Sequence, residues 1–153
     1  GRAARAFALH NDPNGAKNTP GLFDMLVKSN EWDFMNTEKW RLGRYANTPE
    51  KKEELAKWAL NLPETSGSQE IFHRAVEPFI NLDINKAGDW IETLPRGWQR
   101  DRALAELSQR SLWAKKNTEL SDWALGEISD PKLKADATKW RGDWARQTKQ
   151  PQQ

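Results

Sequence analysis

The chain has no cysteine, one tyrosine, two methionines and two histidines in 153 residues. Without thiols it can form no disulfide, no zinc–thiolate site and no cysteine nucleophile. His10 and His73 lack the close helical spacing of a hydrolytic metal site. His73, beside Phe72, Ala75 and Val76, reads as a partly buried helix residue. No apolar run approaches the ~20 residues of a membrane span, so membrane insertion is not expected. The stretch Ser66-Gly67-Ser68 lacks the second glycine and the lysine of a phosphate loop, and no Gly-x-Ser-x-Gly elbow is present. Carboxylates are plentiful (Glu53, Glu54, Glu77, Asp89, Glu92, Glu106). They fall on polar helix faces, however, and some face basic residues four positions away, such as Glu53 with Lys57 and Glu106 with Arg102. The expectation is a non-enzyme with no catalytic residue, no cofactor and no metal.

Strong charge of one sign is also missing. The net charge is +2, too small to point to nucleic acid. The distribution is less even. Arg96, Arg100, Arg102, Arg110, Lys115 and Lys116 outnumber Asp101 and Glu106, and Lys132, Lys134, Lys139, Arg141, Arg146 and Lys149 outnumber Asp136 and Asp143. This basic C-terminal half reads first as a solvated face and second as a surface for an anionic partner.

What the chain does have is tryptophan. A mean hydropathy of −0.94 and 30% charged residues resemble a disordered composition. Nine Trp and five Phe outweigh that signal, because each indole can bury on the order of 200 Å². Met25, Trp58, Trp90 and Trp123 lie 33, 32 and 33 positions apart in similar phrases, among them Leu55-Ala-Lys-Trp58-Ala-Leu-Asn-Leu62-Pro63 and Ala87-Gly-Asp-Trp90-Ile-Glu-Thr-Leu94-Pro95. A period of this length marks stacked supersecondary units that cannot bury their apolar faces alone.

Within each phrase the apolar residues follow helical spacing, as in Leu55, Trp58, Ala59 and Leu62. These are first helices, A, and the four residues at the repeat position are their structural anchors. Thr19-Pro20 and Thr48-Pro49 supply caps, as do Asp83 or Asn85 and Asn117 or Thr118. Second helices, B, follow. Asp130-Pro131 opens one, with Leu133, Ala137, Trp140 and Trp144 on its apolar stripe. Gly97 precedes another, and Ser66-Gly67-Ser68 precedes a third that Pro78 should kink or shorten. The first B segment, Asn30 to Tyr45, is the least regular, with Gly43 expected to end it. The predicted fold is all-α, a right-handed array of about four antiparallel helix pairs. It forms one helical-repeat domain over 1–146, with units at about 20–47, 48–82, 83–116 and 117–146. A leftover or capping helix is expected at 2–10 and a frayed polar tail at 147–153.

Alternating helices of this length resemble the tetratricopeptide and HEAT-like α-solenoids. The phrase Trp90…Leu94-Pro95-Arg96-Gly97…Arg100-Asp101…Ala103…Leu107 resembles one recurring in uncharacterised bacterial Trp-x3-Leu-Pro helical-repeat proteins. Only the third unit carries it in full, and the Gly-Tyr and Ala-Phe-Pro spacing of the tetratricopeptide consensus is absent. The resemblance implies a solenoid and carries no activity.

A non-catalytic interaction or scaffolding module for a peptide or protein, anionic by the charge argument, follows as the expected function. A carbohydrate- or cell-wall-binding domain using exposed Trp is the alternative, with a glycan as partner. The candidate partner-binding residues are Trp98, Arg100, Arg102, Trp113 and Lys115, aromatics and cations that suit stacking. Gly1-Arg2-Ala3 lacks an initiator Met and reads as a processed or joined end, with a targeting segment or further repeats expected before it. The expected setting is exported or periplasmic.

Overall fold

The computed structural model describes residues 19–149. Among these described residues 78% are helical, no strand is present, and nine helices follow one another. They are α1 (Thr19–Lys28), α2 (Trp32–Thr37), α3 (Trp40–Tyr45), α4 (Pro49–Ala59), α5 (Ser68–Leu82), α6 (Ile84–Glu92), α7 (Trp98–Trp113), α8 (Thr118–Glu127) and α9 (Pro131–Lys149). The protein is all-α. The expected leading helix at 2–10, with His10, lies outside the described residues, as do positions 150–153 of the expected tail.

Local chemistry accounts for most helix starts. The Thr48 side chain accepts from the Lys51 N–H at 3.2 Å, with Pro49 at the first helical position. Asp83 accepts from Asn85 and Lys86, Asn117 from Leu120, and Asp130 from Lys132 and Leu133. Ahead of α5 stands a pair that the sequence reading did not single out. The Thr65 N–H donates to Ser68 Oγ and the Ser68 N–H donates back to Thr65 Oγ1, both at 3.0 Å. These reciprocal bonds satisfy two donors at once, as in a capping box.

Two helices differ from expectation. Pro78 does not shorten its helix, because α5 runs on to Leu82. Ile71, Phe72, Ala75, Val76, Phe79 and Ile80 are all buried along it. Several such side chains at roughly 1.5–3 kcal/mol each outweigh the ~3 kcal/mol that an internal proline costs. Gly43 does not end the first B segment and sits inside α3. The break comes at Glu38, whose N–H is shared by the Phe34 and Met35 carbonyls. That bend lets Met35 before it and Leu42 after it both be fully buried.

The chain divides into two compact units between Leu82 and Asp83. In the first, α4 packs on α5, and α1, α2 and α3 complete the core. Trp58 is buried, with its ring tilted against Phe23 at 6.2 Å and its Nε1 donating to Asp24 Oδ1 at 2.6 Å. The Asn36 amide donates to the Gly67 carbonyl at 3.1 Å. Gly67 is there of necessity, since a Cβ would lie 2.6 Å from Trp32 Cβ.

The second unit is built differently. All five Phe, both Met and the single Tyr precede residue 83, so its only aromatics are six Trp, none of them buried. Its core is Ile84, Ala87, Ile91, Ala103, Leu104, Leu107, Leu112, Ala124 and Ile128, with Gly88, Ser108, Ser111 and Ser121 among them. Small side chains let α7 and α8 approach closely. The Ser108 hydroxyl donates to the Ser121 carbonyl at 3.0 Å, and the Ser121 hydroxyl donates to the Ser108 carbonyl at 2.8 Å.

Candidate functional site

Polar contacts fix how α7, α8 and α9 lie against one another. Asp101, in the first turn of α7, is buried and accepts from the Ser129 N–H (2.9 Å), the Ser129 hydroxyl (3.0 Å) and the Asp130 N–H (3.0 Å). Arg100 beside it is also buried and pairs with Glu127 at the end of α8 at 3.2 Å. Farther along, Arg141 of α9 pairs with Asp122 of α8. The start of α9 is thus held at the start of α7, and α9 runs in the same direction as α7.

That arrangement brings the middle of α9 to the end of α7. Trp140, Trp144 and Gln147 share one face of α9, and Gln109, Arg110 and Trp113 share one face of α7. Together they line a groove of about 390 Å³, within the size range of small-ligand sites. Trp113 is 64% exposed. The Arg110 guanidinium lies 5.4 Å from the centre of the Trp113 ring, and its Nε donates to Glu106 Oε1 at 3.0 Å. Arg110 is therefore oriented from both sides. Trp113 ends its helix above a left-handed turn at Lys116 (φ 53°), where the Lys116 N–H donates to the Leu112 carbonyl.

The first unit has two other hollows, one smaller than this groove and one of about 410 Å³. A hollow of about 190 Å³ beside α3 and α5 includes Trp40, Lys39 and Arg74. Its charges are paired internally, since Glu70 binds both Lys39 and Arg74, and Arg41 and Arg44 stack on the Trp40 ring. Another hollow follows α2 from Asn30 to Thr37. Neither gathers three indoles.

Only one of the five sequence-proposed binding residues lies in the groove. Trp113 lines it. Lys115 is exposed just past the end of α7, and Arg102 is exposed on α7 nearer its start. Trp98 is the first residue of α7 and half-buried, so some 22 Å of helix separates it from Trp113. Arg100 is buried in its ion pair with Glu127. Among the repeat-position residues only Trp58 is buried; Met25, Trp90 and Trp123 are half-buried. The sequence reading missed Trp140, Trp144, Arg110, Gln109 and Gln147. Their signal was the stripe Leu133, Ala137, Trp140, Trp144, which is too thin to bury two indoles on an otherwise polar helix.

Elsewhere, His73 pairs with Glu77 on α5 at 3.2 Å. The Tyr45 hydroxyl donates to Glu54 at 2.9 Å, and burial, followed by this bond and the Glu54 charge, pushes the phenol up to about 12. Among the described residues no helix is long and apolar enough to cross a membrane. Comparison with protein-family models, with curated proteins and with solved structures returns no match for the chain. The class that the fold defines is an all-α protein of packed helices.

Proposed function

We propose that the protein is a non-catalytic helical-repeat module that holds a peptide or protein ligand in the groove between α7 and α9. The observation that carries this reading is Trp113, 64% exposed, in one groove with Trp140, Trp144 and an oriented Arg110. Trp and Arg gathered around a concave surface are where binding energy concentrates. We infer further that the pairs α1 with α2–α3, α4 with α5, α6 with α7 and α8 with α9 are units of one ~33-residue repeat in a right-handed solenoid. The resemblance to tetratricopeptide and HEAT-like arrays implies this. The alternation inside the second unit supports it: α8 runs against α7 and α9 runs with it, as stacked helical hairpins require.

Panning a random-peptide phage library on the intact protein tests the reading, with Trp113→Ala as the counter-screen. Enriched peptides that bind the parent and lose the variant support a peptide-binding groove. No enrichment, or enrichment indifferent to Trp113→Ala, removes it. The indoles and the amides of Gln109 and Gln147 also suit stacking on sugar rings. A saccharide array with Trp113-dependent binding and no peptide enrichment would transfer the site to glycan recognition. Lys115 and Arg102 are the cations to neutralise in a salt-dependence experiment. Arg100 is unsuitable there, because it is itself buried in its ion pair with Glu127.

A further inference from the structure

We propose that the groove between α7 and α9 docks an extended, proline-rich peptide in the polyproline II conformation, with acidic residues flanking the prolines. This rests on the peptide-binding reading above and names its ligand class.

The lining chemistry favours such a strand. Flat indole faces suit proline rings, and a polyproline II backbone makes no internal hydrogen bonds, so its carbonyls face outward as acceptors. Indole and amide N–H groups donate to carbonyls. Among the described residues no carboxylate or hydroxyl is in the lining. The many hydroxyl donors of a saccharide would therefore find only the oxygens of Gln109 and Gln147 as side-chain acceptors, whereas proline has no N–H to satisfy.

The spacing agrees. On α9, Trp144 follows Trp140 by four positions and Gln147 follows by three more, an axial rise of ~6 Å and then ~4.5 Å. A polyproline II strand rises ~3.1 Å per residue. The ~10.5 Å from Trp140 to Gln147 along the α9 axis is close to the ~9.3 Å of one three-residue polyproline II turn, which returns residues i and i+3 to the same face of the strand.

Charge selects what accompanies the prolines. Three aromatic rings would otherwise suit a cationic ligand, and the Arg110 charge is already balanced by its pair with Glu106, so the charge that selects the ligand comes from the end of α7. Lys115 and Lys116 are exposed directly after Trp113. Lysine or quaternary ammonium groups are repelled there, and aspartate or glutamate beside the prolines is attracted.

The test titrates the intact protein with a synthetic oligoproline peptide carrying Asp at each end, followed by calorimetry and by the indole N–H resonances. Controls replace the prolines by Gly and Ser, or the Asp residues by Lys. Saturable binding is expected. Trp113→Ala should weaken it roughly tenfold or more, Trp113→Phe should restore part of the loss, and Trp40→Ala in the other unit should leave it unchanged. Circular dichroism checks that the variants remain folded. Failure of the oligoproline to bind overturns the proposal. So does equal binding of the Gly-Ser or Lys-flanked peptide, or indifference to Trp113→Ala. Should the phage-selected peptides bind through Trp113 while oligoproline does not, the ligand class falls and the module reading stands; should neither bind, both fall.

Discussion

In the unit before Asp83, Trp58 is buried against Phe23 and hydrogen-bonded to Asp24, with Phe72 and Phe79 in the same unit's core. In the unit after Leu82, six tryptophans are the only aromatics and every one reaches solvent, while Ile, Leu, Ala, Ser and Gly fill the interior. Indoles are equally apolar in both places. What differs is the packing: α7 and α8 meet through small side chains, with Ser108 and Ser121 bonded across the contact. The second unit compensates with polar clamps, Asp101 on the Ser129–Asp130 turn and Arg100 on Glu127.

The largest effect that would break or sharpen this contrast comes from truncating one ring in each unit. Trp58→Ala should destabilise by roughly 3–5 kcal/mol, the range for large core truncations. Trp113→Ala should stay within about 0.5 kcal/mol, as exposed substitutions do. Trp90→Ala, half-buried, should fall between them. Denaturant midpoints of the three variants measure this, and a Trp113 loss as large as that of Trp58 would erase the distinction.

Next comes the clamp. Asp101→Ala leaves the Ser129 and Asp130 donors without their carboxylate and should cost about 2–3 kcal/mol, the scale of hydrogen bonds to a charged group. The loosened start of α9 should also raise amide exchange from Ser129 through the first turn of that helix. Protection unchanged there would show that the clamp does not hold the second unit together.

A pH experiment separates the units through the single tyrosine. The Tyr45 phenol, pushed up to about 12 in the folded first unit, ionises near 10 in an unfolded chain. The folded pKa is the higher one, so the associated stability is fully present below about 10 and is lost as pH rises through about 12. Tyrosinate absorbance should follow that delayed ionisation, and Glu54→Gln should bring it back toward 10. A midpoint near 10 in the parent would deny that burial and Glu54 hold the phenol.

The smallest effect is a gain. A Cβ at Gly126 in α8 meets nothing within 4 Å, so Gly126→Ala should stabilise the second unit by about 0.5–1 kcal/mol through helix propensity. A loss would mean that this face of α8 is covered after all.

Particular residues show how far the sequence reached. Thr48, Asp83, Asn117 and Asp130 are legible as caps because the bonds they make span only two or three residues. Asp101 looks like a residue suited to a helix N-terminus, and only the fold shows that its carboxylate also receives donors 28 and 29 positions later. Trp58, Trp90 and Trp123 stand in matching phrases, yet only the first is buried. The phrase specifies a helix, and burial depends on the volume of what packs against it.

The sequence by itself determined that this protein is helical and where most of its helices begin, since periodicity, proline placement and capping act over a single turn. Tertiary structure decided which indoles are buried and which line a groove. It also decided that Pro78 stays within a helix and that Arg100 is buried against Glu127. Those outcomes are set by contacts between residues far apart in the chain, where close packing and desolvation outweigh local preference.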